Sequence, residues 1–563
     1  MKFPENLSRI DVNNDYELKE FDYMRITPIK IEQQNQLIND YHKENHHIHT
    51  YFDYQETEED IRNRIDELMD RSFKRKQLAD VLTVMNERWG APESTIRNIN
   101  RLRGPDSVVV IGGQQAGLLT GPLYTIHKII SIITYAKQKE REYDRPVIPV
   151  FWIAGEDHDF LEVNHVHMLN NDAMTKVSLD EQPLKKIPIS NMAIDHEKGE
   201  KWLRDVFSLL KETRYTKGLY LEMHEALRQS HTFVDFFARA LFTLIQEEGL
   251  VLVDSGATEI RQLESDYFVQ LINNQKEIST KTYMTHKQLL YKGYSIDLDL
   301  EEQSGHLFYH HENERILLFR DEKDNWVGKQ HEVSLSNEEL LFIAKKQPYL
   351  LSNNVVTRPV MQDLLFPTLA FIGGPGEISY WSVLKGAFHA LDIKMPPVIK
   401  RLSFTLVTNQ VQGKLEKYGL SLINVIENGT NPYKQMWLQS QSYPPVHEMF
   451  KQLKNTIQHT HQPIHAVAQE IRKDLGALAE NNLQHIYRHI DYLEQRMNHV
   501  LEEQLSDEMA DFDYLMSMLY PNQGFQERIW NPLPWLNEYG IDLIHNLLKQ
   551  NLSLQDEHYI VHL

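Results

Sequence analysis

The chain has 563 residues, 41% of them hydrophobic, and no cysteine. That length exceeds one ordinary core and predicts two or three domains of a globular protein. With 59 Lys and Arg against 80 Asp and Glu the net charge is −21. This argues against nucleic acid or an anionic membrane as partner, and the missing cysteines exclude disulfides and thiolate-bound zinc.

The first residues, MKFPENLSRIDVNNDYELKEF, lack the apolar stretch of a secretory leader, and no apolar run nears the roughly 20 residues of a membrane span. The expectation is a soluble cytoplasmic protein. YHKENHHIHTY then groups His42, His46, His47 and His49. No acid cluster adjoins them in sequence, so a metal site is not favoured there. Residues 56–102 read as helices: Ile61, Ile65, Leu68 and Met69 recur at helix spacing, as do Leu78, Val81, Leu82 and Met85.

Alternating elements follow. SVVVIGG (107–113), RPVIPVFWIAG (145–155) and LVLVDSG (250–256) read as strands. PLYTIHKIISIITYAKQKE (122–140) and HTFVDFFARALFTLIQEEG (231–249) read as helices. Strands with no polar face, interleaved with helices, predict a parallel α/β sheet whose ligands bind beyond the carboxyl ends of the strands. LAFIGGPGEISYW (369–381) is a further strand-to-loop candidate. Between residues 291 and 333, YSIDLDL, HLFYHH and RILLFRD predict short strands in a β-rich insertion, placed at 285–345. The α/β core is thus expected over 1–385.

A helical domain is expected over 386–520. In the tract 446–519, Ile486, Ile490, Leu493, Met497 and Val500 follow a 4-3 spacing. Leu505, Met509, Phe512, Met516 and Leu519 resume it after a shift. This predicts a coiled coil with a register break, pairing within or between chains, and kinked or bounded at Pro463. The tail 521–563 carries WNPLPWLNEYG, too apolar to leave solvated, and is expected to dock on the core.

Three loops carry candidate chemistry. In IGGQQAGLLTGPL, glycines at 112, 113, 117 and 121 permit an anion to approach the backbone near a helix start, and Gln114 and Gln115 supply uncharged donors and acceptors. No Gly-Lys-Ser/Thr follows, so this is not a Walker A loop. In WIAGEDHDF, the crowding of Glu156, Asp157, His158 and Asp159 at a strand end suits proton transfer, an ammonium group, or a hard cation such as Mg²⁺. Asn164, His165 and His167 follow as weaker candidates. GGPGEISYW repeats the glycine-rich pattern and adds Glu377, Tyr380 and Trp381. Arg358, Lys400 and Arg401 are cations beside apolar segments, able to clamp carboxylate or phosphate. No Gly-x-Ser-x-Gly or His-Glu-x-x-His motif is present.

GGQQAGLLTGPLYTIHK, PVIPVFWIAGEDHDFLEVNH, NNVVTRPVMQD and GGPGEISYW, in that order, resemble the bacillithiol synthase family, the cysteine ligases of bacillithiol biosynthesis. The likeness runs over most of the chain, through the helical tract to PNQGFQERIWN. One departure is Gly112, where the family commonly carries Thr. The resemblance implies a Rossmann-like core, a coiled coil supporting a homodimer, and amide formation between cysteine and glucosaminyl-malate. Joining an ionised acid to a protonated amine is uphill in water, so ATP is expected to activate the carboxyl group. The class I tRNA synthetase signatures His-x-Gly-His and Lys-Met-Ser-Lys-Ser are absent. The candidate catalytic residues are Asp157, His158 and Asp159. The candidate substrate- or nucleotide-binding residues are Gly113, Gln114, Gln115, Gly117, Tyr124, Trp152, Glu156, Asn164, Arg358, Glu377, Tyr380 and Trp381. A nucleotide-sugar glycosyltransferase and a non-catalytic nucleotide-binding scaffold are the alternative readings.

Overall fold

Five strands build the central sheet: β1 (Val108–Gln114), β2 (Val147–Ile153), β3 (Val251–Asp254), β4 (Thr368–Gly373) and β5 (Val398–Lys400). All pairs are parallel, and the order is β5-β4-β1-β2-β3. The computed structural model describes residues 24–31, 35–43, 46–170, 173–180, 185–312, 314–441, 445–556 and 558–563. Every residue of β2, β3 and β4 is buried, as is β1 up to Gly112. The unbroken apolar runs therefore reflect coverage on both faces, in part by helix α1 (Leu123–Tyr143).

This is the Rossmann order, read from the other edge. The chain proceeds from β1 to β2 and β3 on one side, then crosses back to place β4 and β5 on the other. A crevice opens at such a reversal, beyond the carboxyl ends of the two central strands. Here those ends are Gly113–Gln114 of β1 and Gly373 of β4.

The insertion is a five-stranded antiparallel sheet. Its order is Ser334–Leu335, Trp326–Gly328, Glu314–Arg320, Ser304–His311 and Leu351–Asn353. Residues 294–300, expected as a strand, form none. Ile296 and Leu300 of that segment are buried, but no neighbouring strand pairs with it. Leu351–Asn353 completes the sheet and leads directly into the helix Thr357–Leu365, which carries Arg358. The far end of that helix is fixed from the N-terminal helices. Arg64 and Arg71 both grip Asp363, and Arg64 also donates to the Thr368 carbonyl at 3.0 Å.

The C-terminal region pairs helix α2 (Val446–Ile471) with α3 (Lys473–Gln504) as a hairpin within the chain. Lys454 bridges Asp491 at 2.5 Å and Glu494 at 3.0 Å. The turn falls at Arg472, whereas Pro463 sits inside α2 without ending it. The register break is real: α3 stops at Gln504 and Ser506–Leu519 begins a new helix. The tail docks. His558–His562 enters a three-stranded sheet between Arg25–Ile29 and Phe404–Val407, and Trp530 and Trp535 are buried. Among the described residues no helix is long and apolar enough to cross a membrane.

Candidate active site

A cavity of about 350 Å³ occupies the crevice. Gly113, Gln114 and Gln115 form one wall and Gly374 to Glu377 another, with Trp152, Ala154 and Asp157 from the end of β2. The strand-end glycines answer first to packing. A Cβ on Gly112 would meet the Ile372 carbonyl oxygen at 2.8 Å, and one on Gly113 the Trp152 carbonyl oxygen at 2.5 Å. Gly112 is thus tightly enclosed between β4 and Ile132 of α1.

The second half of the glycine loop turns away from the cavity. A Cβ on Gly117 would meet Gly121 Cα at 2.7 Å, and the tail seals the outside. Asn531 Nδ2 donates to the carbonyls of Leu119 (2.9 Å) and Gly121 (2.8 Å). The Leu123 amide, at the start of α1, donates to the Trp530 carbonyl at 2.7 Å. The amide expected to face an anion is therefore engaged by the chain's own tail, and Gly117 is not among the cavity's residues.

Inside the cavity, charges come in arranged pairs. Lys128, one and a half turns into α1, is buried and donates to the Gly113 carbonyl (2.6 Å), Gln114 Oε1 (3.1 Å) and Glu377 Oε2 (2.5 Å). Burial lowers its ammonium pKa, with Glu377 opposing. Glu377 Oε2 also accepts from the Gly374 amide at 2.7 Å, capping the short helix Pro375–Trp381. Arg358 enters from the opposite wall. Its Nε donates to Glu156 Oε1 at 2.7 Å and its Nη2 to Asp157 Oδ1.

Glu156 lies behind the cavity, where Arg261 takes its other oxygen and the Asn353 amide donates at 3.2 Å. Burial alone would raise this carboxyl, but Arg261, Arg358 and Arg315 outweigh it and hold the pKa at about 2. Asp157 Oδ1 also accepts from Arg315 at 3.2 Å, a residue delivered by the inserted sheet and stacked 3.7 Å over Phe308. With guanidinium groups already on both acids, this pair does not form a cage for Mg²⁺.

The remaining expected residues divide by position. Tyr124 and Tyr380 line the cavity with the loops. His158 and Asp159 stand outside it. His158 Nδ1 faces Arg315 Nη1 at 3.3 Å and so accepts, and burial together with Arg315 lowers its pKa. Asn164 contacts Leu179 and His165. Trp381 is core, stacked on Phe371 at 4.2 Å. Of the two other cations weighed, Arg401 lines the cavity and Lys400 bonds the Gln555 carbonyl at 2.8 Å.

Several cavity residues were not anticipated: Lys128, Glu162, Gln362 and Arg528. Lys128 did leave a signal, since a lysine among isoleucines in a buried helix needs partners. Arg401 is held by Glu527 through two bonds of 2.7 and 2.6 Å, and Glu527 also takes His127 Nδ1 at 2.8 Å. The side chains of Glu162 and Arg528 make no hydrogen bond or ion pair among the described residues. A second cavity of about 660 Å³ adjoins the first, sharing Pro375, Gly376, Arg401 and Arg528.

A Rossmann-like core with a charged crevice at its strand-order reversal, followed by a helical hairpin, defines an α/β protein built to bind small polar ligands. Residues 24–402 match the family model described as "Bacillithiol biosynthesis BshC, N-terminal Rossmann-like domain". Residues 404–563 match the model for its C-terminal coiled-coil domain. The chain belongs to the BshC family of bacillithiol biosynthesis, a family of ligases. The Oceanobacillus iheyensis protein named "Putative cysteine ligase BshC" is 40% identical over 544 residues, 96% of this chain and 100% of the relative. Proteins of the same name from Bacillus licheniformis and a Geobacillus species are 39% and 38% identical, each over 96% of this chain and all of the relative.

Proposed function

We propose that the chain joins the carboxyl group of cysteine to the amine of glucosaminyl-malate, forming the amide of bacillithiol. The observation that carries this reading is Arg528 lining the crevice without a carboxylate partner among the described residues, beside Lys128, Arg358 and Arg401, which are held in place by acids of the chain. Such a set suits a substrate that brings two malate carboxylates and a carboxylate to be activated.

Activation requires a better leaving group than oxide. ATP would supply it in one of two ways: a cysteine carboxylate oxygen takes the phosphoryl group as the γ-phosphorus–oxygen bond breaks and ADP leaves, or it takes the adenylyl group as the α-phosphorus–oxygen bond breaks and pyrophosphate leaves. The amine nitrogen then loses a proton and attacks the acyl carbon, and the phosphorylated oxygen departs with its electron pair. Cations beside the crevice stabilise the charge that develops on the acyl oxygen and on the leaving group. Glu162 is the lining carboxylate without a cation of its own among the described residues, which suits it to the ammonium or its proton. The adjoining second cavity gives room for more than one reactant. The same reading places the reaction in the cytoplasm, where ATP and cysteine are present.

We further infer a homodimer. On α2, Ile464, Val467 and Ile471 stay exposed, as do Leu493, Met497 and Val500 on α3. The hairpin thus leaves apolar stripes at coiled-coil spacing that its own pairing does not cover.

The test is incubation of purified protein with cysteine, glucosaminyl-malate and ATP, with mass spectrometry of the thiol product. Cysteine carrying ¹⁸O in its carboxyl group transfers label to AMP or to phosphate, which reports the activation chemistry. Folded protein that forms no bacillithiol across metal and pH conditions would refute the assignment.

A further inference from the structure

Gln114 has one side-chain acceptor and one side-chain donor group, and their directions in the crevice follow from a neighbour. Lys128 Nζ is 3.1 Å from Gln114 Oε1, and Gln114 Nε2 is 3.4 Å from the Tyr124 hydroxyl oxygen. An ammonium is donor-only, so it cannot face the NH₂ end of the amide. The flipped amide would set donors against a buried cation. Lys128 itself is fixed by the Gly113 carbonyl and Glu377 and is 1% exposed. It cannot swing away to accept the other arrangement without leaving a buried charge unpaired.

We propose that Lys128 is a positioning residue that sets the polarity of the crevice: it holds the Gln114 amide with its NH₂ group toward Tyr124 and the cavity, selecting ligand oxygens that accept hydrogen bonds. The Tyr124 hydroxyl, accepting from Gln114, keeps its own proton for the same ligand. The class of ligand group selected is carboxylate or phosphate oxygen. The inference rests on this crevice being the substrate site, and not on any turnover there.

Two experiments separate this role from a mere tie between loops. Gln114→Glu preserves the contact with Lys128, indeed strengthens it, but replaces the donor by an acceptor. Binding of glucosaminyl-malate, L-malate and inorganic phosphate is measured by titration calorimetry, and thermal unfolding is recorded alongside. The expected result is at least a tenfold loss of glucosaminyl-malate affinity in Q114E with an unfolding temperature unchanged or raised. A structural tie predicts unchanged affinity, and that result overturns the proposal. The second arm is a cycle of Gln114→Met and Lys128→Met. If Lys128 acts through Gln114, K128M costs little further affinity in the Q114M background. Additive losses would show that Lys128 acts by its charge alone and would also overturn the proposal. Wild-type protein that binds none of the three probes overturns it equally, since no oxygen anion would be selected. Binding that follows the expected pattern without amide formation would count against the ligase reading alone.

Discussion

Arg358 Nε stands 2.7 Å from Glu156 Oε1, and Arg261 holds the other oxygen of the same buried carboxylate. One acid that never meets solvent therefore aims a guanidinium that does line the cavity. Glu156→Gln keeps the shape and removes the charge between the two arginines. Breaking a buried pair in this way costs about 3–5 kcal/mol. The expected outcome is that loss in urea unfolding, with at least a tenfold weaker glucosaminyl-malate affinity by calorimetry on protein still folded. Intact affinity in E156Q would mean that Arg358 is aimed by other contacts.

The same network predicts an inverted pH dependence at its far end. Burial lifts Glu264 to about 7, with Arg261 opposing and Glu156 adding. Arg261 contacts both acids, but Glu156 also has Arg358 and Arg315 to offset its burial. A carboxyl whose folded pKa exceeds the ordinary value of about 4.3 binds more protons folded than unfolded across that interval. Stability from Glu264 is therefore highest below the interval and falls as pH rises toward about 7. Glu156 acts oppositely, and its contribution is lost as pH falls toward about 2. Urea unfolding at pH 5, 6.5 and 8 should show the stability of wild type relative to Glu264→Gln falling as pH rises, by an amount on the order of 1–4 kcal/mol. Taking the difference cancels the opposite contribution of buried histidines such as His306 and His558, whose lowered pKa values favour the folded state as pH rises. A difference that stays constant with pH would remove Glu264 as a source of pH dependence.

What the sequence made legible follows the range of the forces involved. The strands 107–113, 145–155 and 250–256 were readable because burial on both faces writes itself into consecutive residues. The loops at their ends followed from topology, and the cavity lies between two of them. The 4-3 spacing located the helical hairpin, and the shift near Leu505 is a true helix break. Long-range partners had no local trace. Nothing near Arg315 or Arg261 announces that each would reach the GEDHD segment, 157 and 105 residues away. Successive residues after a strand point in different directions, so of the three candidates Asp157, His158 and Asp159 only Asp157 lines the cavity. The glycine-rich loop carried two demands in one pattern. Gly113 to Gln115 face the cavity, whereas Gly117 and Gly121 serve a tight turn under the tail.

That turn has a specific dependency. Leu119 and Thr120 adopt positive φ, 48° and 73°, conformations that cost non-glycine residues about 1–3 kcal/mol each. Asn531 offsets the strain by bonding the carbonyls of Leu119 and Gly121 and receiving the Leu533 amide at 2.9 Å. Asn531→Ala leaves buried carbonyls unsatisfied, a loss of about 1–3 kcal/mol. Hydrogen exchange should rise selectively over residues 117–125, well before global unfolding. Unchanged protection there would show that the turn is held by packing of Trp530 and Trp535 alone.

The exposed stripes of the hairpin yield the last expectation. Within the chain, α2 and α3 are joined by Lys454 with Asp491 and Glu494, and by His461 Nε2 with Asn482 Oδ1 at 3.3 Å. Those polar ties fix one seam and leave Ile464 at 60%, Val467 at 55%, Leu478 at 62% and Leu493 at 53% exposure. Side chains of this size are worth roughly 1.5–3 kcal/mol each when fully buried, so a second hairpin laid on the stripes gains enough to offset the cost of association. Ile464→Glu with Leu493→Glu places a charge on each of the two stripes without removing a residue of the intramolecular ties. Light scattering should report a dimer for wild type and a monomer for the double variant, both with the same helical circular dichroism. A wild type that stays monomeric at high micromolar concentration would refute self-association. A double variant that stays dimeric would place the interface elsewhere on the chain.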